Sequence, residues 1–305
     1  MVLAKAKAFL SPDTSPELIT LADRALRRAG ALGKLPTPIE DLIRAAGVKA
    51  ETDTEGIVQR FVSTLNEQSR SWFKSAIQKI RGIADLRQRA IYVPPDKAPR
   101  QLFASAHEFG HEEIPWHHVI TNDVAAYYTD DDYSLGPSVQ EKFDIEANFF
   151  ASEIIFQGKR FVTQARDYKP SLDAVFLLAD SHGASRQATL HRFVEAQDEI
   201  LAAISYLPSK YVVDNNGFSV LRAPRLIGTP KFLSKYGNVQ IPEDLTSSHA
   251  WAAARDAEEV CEGEIGLHCD GSLVKFQWQS WWNGYALLIL MRRKPALSVI
   301  SALVE

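Results

Sequence analysis

The chain has 305 residues, 46% of them apolar and 24% charged, and a formal net charge of -4 at pH 7. That balance predicts a folded protein long enough for two domains, taking roughly 100 to 200 residues per domain, and it excludes wholesale disorder. The charge gives no whole-molecule attraction to phosphate, so nucleic-acid binding would need a local basic patch.

The N-terminal stretch carries two lysines but too short an apolar run before Ser11 and Pro12 to form a signal-peptide core. A helix is expected over 15–29, with Pro16 at its start, Leu18, Leu21, Ala22, Ala25 and Leu26 on one face, and Gly30 at its end. Thr37-Pro38-Ile39-Glu40 has the form of a capping box and predicts a short helix stopped by Gly47. Runs at 57–65 and 80–93 are β-rich, and the polar segment 85–89 between Ile83 and Ile91 reads as a hairpin connection, so a small mixed sheet is expected. A helix over 99–113 follows, with Leu102, Phe103, Ala106, Phe109 and Gly110 on a face and Pro115 marking its exit. After an acidic stretch at 129–132, Ser138-Val139-Gln140-Glu141 predicts another capped helix that runs to about 157, with Gly158 as its stop. Two more helices are expected over 171–181 and 185–201, joined by His182-Gly183-Ala184 in the manner of a helix-turn-helix.

Beyond Pro208 the texture changes to strands punctuated by Asn215-Asn216-Gly217, Asp270-Gly271 and Asn283-Gly284, each a hairpin signal. One helix is expected there, over 249–262, followed by strands bearing Trp278, Trp281, Trp282 and Tyr285. The most apolar run, 285–291, is far shorter than the roughly 20 residues of a membrane span and reads as a buried strand. No membrane partner is expected. Only two cysteines occur, Cys261 and Cys269, at a separation that fits neither a metal knuckle nor a redox pair, so reduced thiols and a cytosolic setting are the expectation.

Chemistry concentrates in His107-Glu108-Phe109-Gly110-His111, which fits the H-E-x-x-H pattern. Histidines at i and i+4 lie one above the other on a helix, so both imidazoles can reach one metal, and the glutamate between them can take a proton from water that the metal acidifies. A catalytic zinc site also needs a third protein ligand and an open fourth position. The helix from Ser138 offers Asp144 and Glu146, about 200° apart on a helical wheel, so only one of them can face the metal. Asp144 shares its stripe with Asn148 and Ala151, which favours it for a helix in close approach; Glu146, His117 and His118 stand as alternative ligands or cleft residues. His117 and His118 follow Pro115-Trp116 and read as loop residues, while Tyr127, Tyr128 and Tyr133 are candidate donors to a developing oxyanion.

The first motif, followed by Glu146-Ala147-Asn148-Phe149-Phe150-Ala151-Ser152-Glu153-Ile154-Ile155, resembles the ImmA/IrrE family of bacterial metallopeptidases, whose second motif reads E-x-x-A-N-x-F-A-x-x-L-L. The resemblance covers residues 15–200 or so and implies a zincin-like peptidase fold with Zn2+ as cofactor. It further implies Glu108 as the catalytic base, and as substrate a protein, a bacterial transcriptional repressor of the helix-turn-helix kind whose cleavage releases stress-response or mobile-element genes. The family's third ligand is a glutamate four positions before the asparagine, which here is Asp144. That carboxylate is shorter by one carbon-carbon bond, about 1.5 Å, so its helix must come closer.

The expected architecture is therefore α+β: a zincin-like metallopeptidase domain over 1–158, a helix-turn-helix-like extension over 159–204, and a smaller α+β domain over 205–305 with a sensor or docking role. DNA contact by the helix pair is not expected, because Arg186 and Arg192 are accompanied by Asp180, Glu195 and Asp198. A competing reading keeps the zinc fold but assigns a catalytically weak or inactive regulatory protein that docks a partner or DNA through the helix pair or the C-terminal domain.

Overall fold

The computed structural model describes residues 2–3, 13–51, 83–86, 88–93, 98–121, 127–129, 137–257 and 259–293. The fold is mixed α+β and divides into two compact units: one comprises residues 10–164 and 177–185, the other 1–9, 165–176 and 186–305. The predicted strand at 57–65, Tyr133 and the acidic stretch 130–132 lie outside the described residues.

The first unit opens with α1, Ser15–Arg28, whose buried face is Leu18, Ala22, Ala25 and Leu26. Glu17 in its first turn and Arg27 and Arg28 in its last complement the helix dipole. The chain leaves it through Gly30 at φ 60°. Helix α2, Ile39–Ala45, forms without the predicted capping box. Instead the Thr37 hydroxyl donates to the Ile154 carbonyl at 3.1 Å, because the last carbonyls of a helix lack partners of their own and Thr37 is buried beside them. A four-stranded sheet in the order β2-β4-β3-β5 is built from β2 (Lys49–Glu51), β3 (Ile83–Asp85), β4 (Ala90–Tyr92) and β5 (Tyr127–Thr129). Strands β2 and β4 run parallel, and β3 and β4 form the expected hairpin, so the sheet is mixed.

Helix α3, Ala98–Glu113, carries the H-E-x-x-H motif. Pro115 does not lead into a loop, as the sequence reading had it. It opens a second short helix, α4 (Pro115–Thr121), since proline is well suited to a first helical position. Helix α5, Pro137–Phe156, ends at Gln157 and Gly158, both at positive φ. The Gln157 side chain then holds the 31–34 turn, accepting from the Gly33 amide at 2.7 Å and donating to the Lys34 carbonyl at 2.9 Å. Helix α6, Lys159–Arg166, follows it, and then α7, Leu172–His182.

In the second unit, α8 (Arg186–Ala196) stops short of the predicted end at 201, because Leu201 already begins a strand. A five-stranded antiparallel sheet has the order β7-β6-β11-β10-β9, with β6 Leu201–Val213, β7 Ser219–Gly228, β9 Cys261–Cys269, β10 Ser272–Trp282 and β11 Leu287–Arg293. Pro208 lies inside β6, where a shifted register tolerates a residue that cannot donate to the ladder. The three predicted hairpin turns fall between β6 and β7, β9 and β10, and β10 and β11. A small pair, β1 (Val2–Leu3) with β8 (Gln240–Ile241), and helix α9 (Pro230–Tyr236) complete the unit. Thr229 accepts from the Phe232 amide at 3.1 Å and caps α9. The predicted helix at 249–262 shrinks to a 3-10 turn at Ala250–Ala253 and a single turn, α10, at Ala254–Ala257. Ile204, Tyr206, Phe232, Trp251, Phe276 and Ile289 are among the residues that form this unit's core. Trp278 is buried as expected of a core anchor, whereas Tyr285 is exposed in a turn. Cys261 and Cys269 are free thiols at opposite ends of β9, about 26 Å apart at a strand's rise per residue, and cannot bridge.

His191 on α8 is buried, and its Nε2 has no hydrogen-bond partner among the described residues. Burial, helped by the charge of Arg225, pushes its pKa down to about 4. An unfolded histidine titrates near 6.5, so between these values the unfolded chain holds the extra proton and stability falls as the pH falls. His191→Leu should therefore lose about 2 kcal/mol less stability than wild type between pH 7 and pH 4.5 in denaturant titrations. Equal losses in the two proteins would show that His191 plays no part.

Candidate metal centre

Two helices of the first unit build the site. On α3, His107, Glu108 and His111 are all buried, and the Nε2 atoms of the two histidines face each other at 3.1 Å. Asp144 on α5 completes the one set of metal-ligating side chains that comes together among the described residues, with one ligand atom from each of His107, His111 and Asp144 all within 4.8 Å of one another. Periodicity had favoured Asp144 over Glu146, and the two carboxylates do part company: Asp144 joins the histidines, while Glu146 is fully buried elsewhere on the helix.

The close approach that a short aspartate demands is supplied by Gly110. A Cβ built on Gly110 would meet Phe150 Cδ1 at 3.1 Å and the Ala147 backbone at 3.4 Å, so α3 and α5 touch through a residue without a side chain. Gly110→Ala should force the helices apart by a few tenths of an ångström, cost about 1 to 3 kcal/mol of stability, and weaken metal uptake. Calorimetric metal titration beside thermal melts checks this; wild-type values in both would show that the spacing has slack.

Around the ligands the hydrogen bonds are specific. His107 Nδ1 lies 3.0 Å from Asn148 Oδ1, which can only accept, so the ring proton sits on Nδ1 and Nε2 keeps its lone pair. His111 Nδ1 lies 3.0 Å from His117 Nδ1. The His111 pKa is driven well below the ordinary imidazole value, first by burial and then by the neighbouring histidines, which keeps the ring neutral as a ligand must be. Helix α4 places His117 inside the unit, fully buried and stacked on Phe143 with ring centroids 4.1 Å apart. It is therefore not the loop residue the sequence suggested. His118 is not in the ligand set; its Nε2 lies 2.9 Å from the Glu112 carbonyl. Glu146 receives hydrogen bonds from Thr14 at 2.8 Å and Trp116 at 2.6 Å and lies 3.0 Å from His117 Nε2. Burial raises its pKa, but the bonds from His117, Trp116 and Thr14 outweigh that and hold the carboxyl below its ordinary value.

These residues fit a divalent cation. Nitrogen ligands about 2.0 to 2.1 Å from a tetrahedral ion sit about 3.3 Å apart, close to the observed 3.1 Å. Two imidazoles and one carboxylate make a nitrogen-and-oxygen donor set for such an ion, with a fourth position left over. Sequence reasoning did not assign roles to Asn148, Trp116 or Thr14. Only Asn148 left a signal, four residues after Asp144 on the same stripe.

No family model matches the chain, and a search of curated proteins also finds no match. Among solved structures it is similar to a Mycobacterium tuberculosis transcriptional regulator, at 14% identity and a TM-score of 0.52, covering 91% of this chain and 76% of that one. At that identity the likeness concerns the fold alone.

Proposed function

We propose that the chain is a zinc-dependent endopeptidase with a zincin-like catalytic unit, similar to the ImmA/IrrE metallopeptidases, and that its substrate is a protein, in keeping with that resemblance a helix-turn-helix repressor. The observation that carries this reading is the pair of facing Nε2 atoms at 3.1 Å with the Asp144 carboxylate beside them and Glu108 buried on the same helix. Zinc bound there would supply Lewis acidity that polarises a peptide carbonyl and brings the pKa of water down toward 7.

The protein's own groups do the rest. His107, His111 and Asp144 fix the centre, and Asn148 holds the His107 ring in the ligating tautomer. Glu108, next in sequence to His107, takes the proton from the attacking water and hands it to the departing amine, so one carboxylate serves as base and then as acid. Burial of Glu108 keeps bulk water from competing for that proton.

Both arginines of α8 have partners within its own unit. The Arg186 guanidinium lies over the rings of both Phe176 and Trp281, 4.4 and 4.5 Å from their centroids, and Arg192 lies 3.6 Å from Glu195. No helix of the described residues is long and apolar enough to cross a membrane.

Zinc-loaded protein incubated with a repressor encoded beside its gene should yield discrete new N-termini by mass spectrometry. Cleavage should stop with a chelator and return with zinc. Cleavage that persists through chelation would refute the metallopeptidase reading.

A further inference from the structure

The hydrogen bonds behind His111 run inward to a buried carboxylate. His111 Nδ1 meets His117 Nδ1 at 3.0 Å, and His117 Nε2 meets Glu146 Oε2 at 3.0 Å. A carboxylate can only accept, and Glu146 already takes the Thr14 hydroxyl on Oε1 and the Trp116 indole on Oε2. Its position fixes the direction of every bond in the chain. His117 must donate from Nε2, which leaves a lone pair on its Nδ1. His111 must then donate from its own Nδ1, which leaves a lone pair on its Nε2. Asn148 imposes the same tautomer on His107 from the other side. The two Nε2 lone pairs thus fixed point at each other across 3.1 Å, an arrangement that is repulsive until a cation is shared between them.

We infer that Glu146 and His117 are positioning residues, forming a Glu146–His117–His111 relay that sets the tautomer and ring plane of His111 and so presents its Nε2 to the metal. The inference rests on the metal-centre reading but not on peptidase activity. Stacking of Phe143 on His117, with 22° between the ring planes, fixes the plane of the middle member. The relay also explains why Glu146 is buried two residues from a ligand without being one: it orients a ligand from behind.

Long-range proton–nitrogen correlation spectra of the wild-type protein, both chelator-treated and zinc-loaded, report the tautomer of each histidine. His117 should carry its proton on Nε2 in both states. A proton on His117 Nδ1 would overturn the relay. In metal competition with a chromophoric chelator, Glu146→Gln and His117→Phe should each lose about 10- to 100-fold in zinc affinity, the usual effect of removing an outer partner. The visible absorption of cobalt-substituted His117→Phe should also shift, since its His111 ring is no longer held. Wild-type affinity and an unchanged cobalt spectrum in folded variants would overturn the proposal, and if the variants fail to fold the wild-type tautomers decide it alone. A protein with the expected tautomers and affinities that cleaves nothing would refute the peptidase reading while supporting the relay; cleavage by a protein with His117 protonated on Nδ1 would do the reverse.

Discussion

Glu108→Gln should bind zinc as wild type does yet hydrolyse its substrate about 100- to 10,000-fold more slowly, the contribution typical of a positioned general base. The substitution is nearly isosteric, so the buried volume at Glu108 is preserved. What is lost is the capacity to accept a proton from water and return it to the amine. Glu108 is not in the ligand set, so metal content should stay at the wild-type level. Parallel measurement of bound zinc and of single-turnover cleavage separates the two properties. Undiminished cleavage in Glu108→Gln would remove this residue from the mechanism.

Asp144→Ala should show the opposite division. Deleting a ligand outright should lower zinc affinity by more than about 100-fold, beyond what removal of an outer partner causes, and hydrolysis should vanish with the metal. The comparison with Glu146→Gln is the informative one. The two carboxylates are two residues apart on α5, but one reaches the ligand set and the other ends a chain of hydrogen bonds to His111. Competition titrations should therefore rank wild type above Glu146→Gln and Glu146→Gln above Asp144→Ala. Equal affinities for wild type and Asp144→Ala would strike Asp144 from the ligands.

The centre was legible in the sequence where its geometry is helical. The spacing of His107 and His111 and the stripe of Asp144 and Asn148 follow from 3.6 residues per turn, and helices impose that spacing whatever surrounds them. What escaped was non-local. Thr14 reaches Glu146 across 132 positions of sequence, and His117 returns to His111 only because Pro115 restarts a helix instead of ending one. No periodicity encodes either contact.

The second unit shows the same contrast. Its hairpins were announced by Asn-Gly and Asp-Gly pairs, whose backbone needs are local. Thr229-Pro230 is an equally local signal for α9, but a helix of seven residues carries too little periodicity to reinforce it. The overextended helix at 249–262 ran into Cys261–Cys269, where exposed and less exposed residues alternate with the period of a strand. The Thr37 capping box failed for a tertiary reason, the competing demand of buried carbonyls at the end of α5.

The central claim is a metal held by two imidazoles and an aspartate, and zinc-edge X-ray absorption on the zinc-loaded protein tests it most directly. One zinc per chain is predicted, with two imidazole nitrogens and two oxygens at about 2.0 to 2.2 Å, and one oxygen lost from that shell, or the zinc itself, in Asp144→Ala. A wild-type protein that retains no stoichiometric zinc, or whose zinc shows no imidazole in its first shell, would contradict the account.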